Sequence, residues 1–258
     1  MKIFIKNRNN LSICVEVHET PNSRGLVFVS HGLGGWKEQP QIINSAQAFI
    51  DNNFTVVCFD ATNSFGESEG DYLDATATNY YHDLEDVIEW SKTQSWYKEP
   101  FCLIGHSLGA LSSALYSEKF PEKAEGLVPI STVVSGKLTL ESGEYKNNNV
   151  LEEWEKTGIR ETPSLSRPGL TKKLKWSHIE DRLKYDLMPK VNKLTMPTLM
   201  IVGELDTGTP LEHQKILFDK LPGEKEIHVI PGAPHTFKDP EHLSEVKSVI
   251  DRWIKKHF

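Results

Sequence analysis

The sequence predicts an α/β protein with a mostly parallel central sheet, helices on both faces of the sheet and a small inserted lid. Short apolar runs alternate along the chain with longer segments in which apolar residues recur at helical spacing. Runs such as 26–30 are apolar at almost every position, which is typical of strands covered on both faces. Between 134 and 192 this alternation stops, and that break indicates an insertion.

The predicted elements follow one another in a regular order. An Asn-rich turn separates the first two strand-like segments, which therefore predict an N-terminal hairpin. The expected strands are 2–6, 11–18, 26–30, 55–59, 101–104, 126–130, 198–202 and 226–230. The expected helices are 40–52, 77–93, 108–119 and 240–257. In a sheet of this kind, ligands bind at the carboxyl ends of the strands.

The segment 134–192 is polar and interrupted by glycine and proline, and it is too long for a simple loop. It also carries Trp154, Trp176 and Tyr185, and a disordered insertion is the alternative to a folded one. We therefore predict a core made of 1–133 and 193–258 and an inserted lid or cap at 134–192.

Composition and charge exclude several classes of function. With 38% hydrophobic and 25% charged residues, the chain resembles an ordinary globular protein. The net charge of −7 argues against nucleic acid and against an anionic membrane as partners. We expect neither a signal peptide nor a transmembrane helix. Three cysteines lie in strand-like runs, where buried reduced thiols are expected, and this favours a cytoplasmic location: Cys14, Cys58 and Cys102.

The most informative motif is Gly-His-Ser-Leu-Gly at 105–109, which lies between a predicted strand and a predicted helix. This G-x-S-x-G pattern, in that context, is a nucleophile elbow, a sharp turn that presents a serine hydroxyl at the tip of a sheet. Gly105 and Gly109 leave room for so tight a bend. Ser107 is therefore the candidate nucleophile.

A serine hydroxyl needs a base and a group that orients the base. His235 is the best candidate base, because it lies in a loop between the last strand and the last helix. Asp206 is the preferred acid, since it closely follows the strand at 198–202 and can hold the imidazole in the correct tautomer. Glu204 competes with Asp206, although its position next to the strand end favours a bond to local backbone.

Acyl transfer also requires N–H donors for an oxyanion. The residue after the nucleophile, Leu108, supplies one backbone N–H. The loop after the strand at 26–30 reads His-Gly-Leu-Gly-Gly, and Leu33 is the candidate for the second donor. His31 in this loop and His106 in the elbow are expected to be structural.

These motifs together resemble the α/β-hydrolase superfamily over nearly the whole chain, in the order Ser107, Asp206, His235. The segment 59–70 is also similar to a stretch in bacterial cinnamoyl and feruloyl esterases and related lid-containing carboxylesterases. The resemblance implies an α/β-hydrolase fold and a serine esterase that cleaves a small-molecule ester through an acyl-enzyme. Such a reaction needs neither a metal nor an organic cofactor.

The same motifs are compatible with other activities. The triad is shared by thioesterases, peptidases and C–C bond hydrolases, and a non-catalytic binding module is a more distant alternative. An N-terminal hairpin at a sheet edge could pair two copies into a homodimer. Four aromatic residues are candidate contacts for the substrate: Trp36, Trp154, Trp176 and Tyr185.

Overall fold

The structure is built around an eight-stranded sheet. We describe it from a computed structural model that covers residues 1–146, 149–164, 167 and 169–258. Its strands are β1 (Lys2–Lys6), β2 (Ser12–His18), β3 (Leu26–Ser30), β4 (Thr55–Phe59), β5 (Phe101–His106), β6 (Ala124–Ile130), β9 (Thr198–Gly203) and β10 (Lys225–Ile230). Two further strands, β7 (Ile159–Pro163) and β8 (Thr171–Lys175), form a separate hairpin. Their order is β1-β2-β4-β3-β5-β6-β9-β10.

Most neighbouring strands of this sheet are parallel. The exceptions are β1 against β2 and β2 against β4, which pair antiparallel. The N-terminal hairpin is therefore confirmed, and it extends one edge of a parallel sheet. Each strand and helix expected from the sequence is present, with ends that differ by at most two residues.

Helices cover both faces of the sheet. They are α1 (Pro40–Asp51), α2 (Ala77–Ser91), α3 (Leu108–Lys119), α4 (Gly136–Leu140), α5 (Gly143–Lys146), α6 (Val150–Thr157), α7 (Ser177–Arg182), α8 (Leu211–Lys220) and α9 (Pro240–His257). Successive side chains of a buried strand point to opposite faces of the sheet, and each face has its own hydrophobic core. In β3, Val27 and Val29 pack on the side of α1 and α9, whereas Leu26 and Phe28 pack on the side of α2 and α3. Among the described residues, no helix is both long enough and apolar enough to cross a bilayer.

The chain between β6 and β9 leaves the sheet and forms the short helices α4 to α7 and the β7–β8 hairpin. Side chains of β7 alternate between exposed and partly covered positions, and in β8 the buried side chain is that of Leu174. Because neither strand is a continuous apolar run, the sequence pattern did not reveal the hairpin. The three cysteines are buried and unpaired, as expected.

The sheet order also determines where a ligand can bind. From β3 the chain moves outward to β4 and then returns to β5 on the other side of β3. The loops after β3 and β5 therefore diverge and leave a crevice at the carboxyl ends of these strands, which is the usual ligand site in such sheets. The first loop holds Leu33 and the second begins at Ser107.

Burial on α1 leads to a prediction about stability. Phe49 is fully buried between α1 and the sheet, and its ring centroid lies 5.3 Å from that of Phe54. We expect Phe49→Ala to lower the free energy of unfolding by about 3–5 kcal/mol, because it leaves a cavity. Urea denaturation followed by circular dichroism measures this change. Ile43→Ala on the exposed side of α1 is the control, with an expected change within about 0.5 kcal/mol. Equal midpoints for the two variants would contradict this account of the core.

Candidate active site

Ser107 stands at a sharp turn between β5 and α3, in a conformation that non-glycine residues rarely adopt. Its φ is 56° and its ψ is −114°. A Cβ atom on Gly105 would lie 2.4 Å from the backbone of Gly109, and one on Gly109 would lie 2.5 Å from the carbonyl oxygens of Ser30 and His31. Glycine at both positions therefore permits the turn. The bond from Ser107 N–H to the Ile130 carbonyl, 2.8 Å, ties the turn to β6.

The side chains of Ser107, His235 and Asp206 form a continuous hydrogen-bonded chain. His235 Nε2 lies 3.0 Å from Ser107 Oγ, and His235 Nδ1 lies 2.8 Å from Asp206 Oδ2. Because a carboxylate accepts, the Nδ1–H of a neutral His235 donates to Asp206 and Nε2 accepts from the serine hydroxyl. The structure thus brings together three residues that are far apart in the sequence, each on a loop that follows a parallel strand.

Asp206 is held as a buried carboxylate. Its Oδ1 accepts hydrogen bonds of 2.9 Å from the N–H groups of Gly208 and Thr209, and its Oδ2 accepts one of 2.9 Å from the Thr209 hydroxyl. Burial raises the pKa of Asp206, but the bonds from His235 and from the Thr209 backbone outweigh that effect and bring the pKa well below its usual range. The carboxylate can therefore stabilise an imidazolium on His235.

Glu204 does not take this place. Its carboxylate accepts a 2.8 Å hydrogen bond from the Gly232 N–H, so it braces the loop that leads to His235. Of the two acids considered from the sequence, the one in contact with His235 is Asp206.

Two further histidines support the site without reaching Ser107 Oγ by a hydrogen bond. His106 Nε2–H donates to the carbonyl of His235 over 2.8 Å, and burial lowers the pKa of His106 to about 3. His31 Nε2 accepts from the Ala61 N–H over 2.9 Å, so its Nδ1–H donates to the Gly32 carbonyl over 2.8 Å. Burial also lowers the pKa of His31. Both imidazoles are neutral and structural, as expected.

The loop after β3 brings Leu33 near the nucleophile. A Cβ atom on Gly32 would lie 3.1 Å from Ser107 Cβ, so the loop packs directly on the elbow. The Gly35 N–H bonds to the Gly32 carbonyl over 2.9 Å and closes a tight turn around Leu33. Within the described part of the chain, the N–H groups of Leu33 and Leu108 have no acceptor. Leu108 is the first residue of α3, and the N–H groups of a helix N-terminus favour an anion.

Two cavities in this part of the molecule share lining residues. One, of about 410 Å³, is lined by Leu33, Ser107 and His235 among others. The other, of about 380 Å³, lies against the insertion and is lined in part by Tyr72, Tyr145 and Trp154. Leu33 and Lys172 border both cavities.

Of the four aromatic residues predicted to contact the substrate, the structure places one at these cavities. Trp154 lines the second cavity, whereas Trp36, Trp176 and Tyr185 line neither. The Arg167 guanidinium covers the Trp36 ring, at 4.5 Å from its centroid. Trp176 packs on Trp154 with centroids 5.9 Å apart, and the Tyr185 hydroxyl lies 2.6 Å from Thr78 Oγ1. In the structure these three side chains pack against other residues, and their contact with a substrate stays a prediction.

Tyr72 and Tyr145 were missed as candidates for the pocket. Tyr72 begins a short 3-10 turn after β4, and Tyr145 lies in the four-residue helix α5. Segments this short show no periodic pattern that would indicate which face a residue takes. Their place at the cavity follows from tertiary packing alone.

Two groups of side chains in the described residues have the spacing of metal ligands: Cys14, Asp60 and Glu67, and Glu224, Glu226 and His257. In each group the carboxylates already bind an ammonium group. Lys37 Nζ lies 3.1 Å from Asp60 and 2.9 Å from Glu67. Lys256 Nζ lies 2.8 Å from Glu224 and 2.6 Å from Glu226. The carboxylates of both groups are thus paired with a lysine.

The fold, with a serine elbow after β5 and loops that bring an acid and a histidine to it, defines an α/β hydrolase. Comparison with family models gives a closer assignment. Residues 21–168, more than half of the chain, match the Hydrolase_4 family, described as "Serine aminopeptidase, S33", and the chain belongs to this family. Residues 148–257 also match a family described as PhoPQ-activated pathogenicity-related protein.

Individual proteins resemble the chain over nearly its full length. An uncharacterized 31.7 kDa protein from the traX-finO intergenic region of Escherichia coli is 22% identical, with 98% of each chain covered. The structure of Est1E from Butyrivibrio proteoclasticus with bound ferulic acid has a TM-score of 0.83 at 18% identity, covering 99% of this chain and 98% of Est1E. Alpha/beta hydrolase domain-containing protein 10 from mouse has a TM-score of 0.79 at 18% identity, with 99% of each covered. These similarities show that the fold is shared.

The low pKa of Asp206 leads to a prediction about acid stability. The pKa of this carboxyl group is about 3.9 in an unfolded chain and lower in the folded protein. The ionised carboxylate therefore stabilises the fold above about pH 3.9. This stabilisation is lost as the pH falls through the pKa of the folded state. Between about pH 5 and about pH 3, the free energy of unfolding of the wild type should fall by about 1 kcal/mol more than that of Asp206→Asn. Urea denaturation at each pH measures the difference. Asp219→Asn, at an exposed position of α8, is the control; an equal pH dependence in Asp206→Asn and the wild type would contradict the prediction.

Proposed function

We propose that the protein hydrolyses carboxylic esters through an acyl-enzyme on Ser107. The observation that carries this proposal is the hydrogen-bonded chain from Ser107 Oγ through His235 to the buried carboxylate of Asp206. The backbone donors of Leu33 and Leu108 beside the hydroxyl support it further. A nucleophile, an oriented base and a place for an oxyanion are the three requirements of acyl transfer.

In the first half-reaction, Ser107 Oγ attacks the carbonyl carbon of the ester while His235 Nε2 takes the hydroxyl proton. The carbonyl oxygen gains negative charge, and the N–H groups of Leu33 and Leu108 stabilise it. Asp206 stabilises the imidazolium and keeps Nε2 directed at the reacting atoms. The tetrahedral intermediate then collapses: the bond to the alcohol oxygen breaks, His235 returns its proton to that oxygen, and the acyl group stays on Ser107.

In the second half-reaction, His235 Nε2 takes a proton from water, which attacks the acyl carbon. The same two N–H groups stabilise the second tetrahedral intermediate. Its collapse releases the carboxylic acid, and the proton on His235 returns to Ser107 Oγ. The net reaction consumes one ester and one water molecule and leaves the enzyme unchanged.

Hydrolysis of an ester fits the cavity better than the removal of an N-terminal amino acid, although the family description names an aminopeptidase. An aminopeptidase must bind a free α-ammonium group, and a desolvated ammonium needs a carboxylate partner. None of the described residues that line the cavity at Ser107 is acidic, whereas Lys172 and Lys238 line it. Thioesters and C–C bonds stay alternatives, because the same triad can attack them.

For the acyl group, we propose an aromatic acid such as a hydroxycinnamate. The second cavity shares Leu33 with the cavity at Ser107 and is lined in part by the rings of Tyr72, Tyr145 and Trp154. Aromatic rings favour stacked or edge-on partners. Est1E, a protein of the same fold, has a structure with ferulic acid bound. Tyr145 and Trp154 belong to the segment 134–192, for which we propose the role of a lid over the acyl group.

The nucleophile is tested by substitution. Ser107→Ala should lower kcat for a chromogenic short-chain ester by about 10⁴-fold or more and abolish labelling by a fluorophosphonate, because the attacking oxygen is removed. Ser117→Ala on α3, whose hydroxyl donates to the Ser113 carbonyl, is the matched control and should label and react normally. Turnover near the wild-type rate in Ser107→Ala would contradict the proposal.

The acyl group is tested with a panel of methyl esters that differ in chain length and aromaticity, together with an aminoacyl amide. We expect kcat/KM to be highest for a hydroxycinnamate, with the amide about 10²-fold lower or worse. Trp154→Leu should lower kcat/KM for the hydroxycinnamate more than for an acetyl ester, since only the longer acyl group reaches the second cavity. A clear preference for the acetyl ester would overturn the aromatic assignment and leave the esterase assignment intact.

A further inference from the structure

The loop that carries Leu33 is anchored at both ends to the segment that follows β4. At its start, the His31 imidazole accepts the Ala61 N–H over 2.9 Å. At its end, the Lys37 N–H donates to Asp60 Oδ1 over 2.7 Å. Leu33 lies between these two anchors, within the turn closed by the bond from Gly35 to Gly32. The position of its N–H therefore depends on residues that do not line the cavity at Ser107.

Asp60 is the central group of the second anchor. Its side chain is fully buried at the carboxyl end of β4. Besides the Lys37 backbone, its carboxylate accepts from Lys37 Nζ over 3.1 Å and from the Glu67 N–H over 2.9 Å. A Cβ atom on Gly66 would lie 2.1 Å from Asp60 Cγ, so the chain folds closely around this carboxylate. Three hydrogen bonds therefore hold the Asp60 carboxylate.

Lys37 completes the anchor from the other side. Its side chain is 1% exposed, which is unusual for lysine, and its ammonium also binds Glu38 over 2.6 Å and Glu67 over 2.9 Å. Lys2, another cation, contacts Glu67. A buried ion pair adds little net stability, because desolvation offsets the attraction, but its fixed geometry specifies one arrangement of the chain. The buried pair of Lys37 and Asp60 is thus better suited to orient the loop than to stabilise the fold.

We propose that Asp60 is a positioning residue for the oxyanion donor. It holds Lys37, and thereby the end of the loop, so that the Leu33 N–H faces the carbonyl oxygen of a substrate bound at Ser107. This inference rests on the proposed esterase function. Asp60 contacts none of the reacting atoms and acts only through the backbone of 31–37. Stabilisation of an oxyanion depends steeply on donor distance, so a small shift of this loop is expected to lower the rate.

Asp60→Asn tests the proposal. The amide can still accept from the Lys37 N–H, but its NH₂ group then faces two donors, Lys37 Nζ and the Glu67 N–H. We expect kcat/KM for an ester to fall at least about tenfold, with KM changed less than about threefold, once the active fraction is counted by fluorophosphonate titration. Glu38→Gln is the matched control: it removes an exposed carboxylate from the same ammonium and should react almost as the wild type does.

A transition-state analogue separates positioning from general loss of structure. A trifluoromethyl ketone adds to the serine and places an oxyanion where the ester would, whereas the matching secondary alcohol cannot add. In Asp60→Asn, affinity for the ketone should fall in proportion to kcat/KM, while affinity for the alcohol stays within about threefold. Gly66→Ala places a methyl group against the Asp60 carboxylate without changing any charge, and it should show the same pattern. This variant replaces Asp60→Asn in the test if Asp60→Asn does not fold.

A lower affinity for the ketone with an unchanged affinity for the alcohol, in either variant, supports the proposal. Unchanged kinetics, or an equal loss of ketone and alcohol affinity, would overturn it. A wild-type protein that neither hydrolyses esters nor labels at Ser107 would instead contradict the esterase function itself, and the two failures are therefore distinguishable.

Discussion

The arrangement of the site depends on the backbone conformation of Ser107. A positive φ at a non-glycine residue is strained by about 1–3 kcal/mol, and surrounding structure must compensate for it. Here the compensation comes from close packing: Gly105 lies against Gly109, and Gly109 lies against the end of β3. The strained turn points the hydroxyl away from the sheet, toward the loops that follow β9 and β10. A side chain at either glycine would collide with this backbone.

Electrostatics around the hydroxyl follow from burial and hydrogen bonding. Asp206 stays ionised because several donors surround it, whereas His106 and His31 stay neutral because burial disfavours their charged forms. Among the residues that the structure describes, the imidazole that binds a carboxylate through one nitrogen and the Ser107 hydroxyl through the other is that of His235. His235 therefore contacts the nucleophile, whereas His31 and His106 bind backbone groups around the site.

The oxyanion loop shows how distant packing can control chemistry. Leu33 contributes through its backbone, so no property of its side chain makes it a donor. What matters is the path of the chain from His31 to Lys37, and that path is bound at both ends to the segment after β4. Strand order makes this possible, because β3 and β4 are parallel neighbours whose carboxyl ends lie side by side.

The sequence by itself determined the parallel sheet, the order of its elements and the positions of Ser107, Asp206 and His235 at strand ends. These features are local: hydrophobic periodicity, turn residues and a motif at a strand–helix junction lie within short windows of the chain. Only the tertiary structure decided that Asp206 rather than Glu204 contacts His235, and that Tyr72 and Tyr145 line a cavity that shares Leu33 with the one at Ser107. The buried pair of Lys37 and Asp60 also appeared only there. Contacts between residues far apart in the chain depend on how the layers pack, and no short sequence window carries that information.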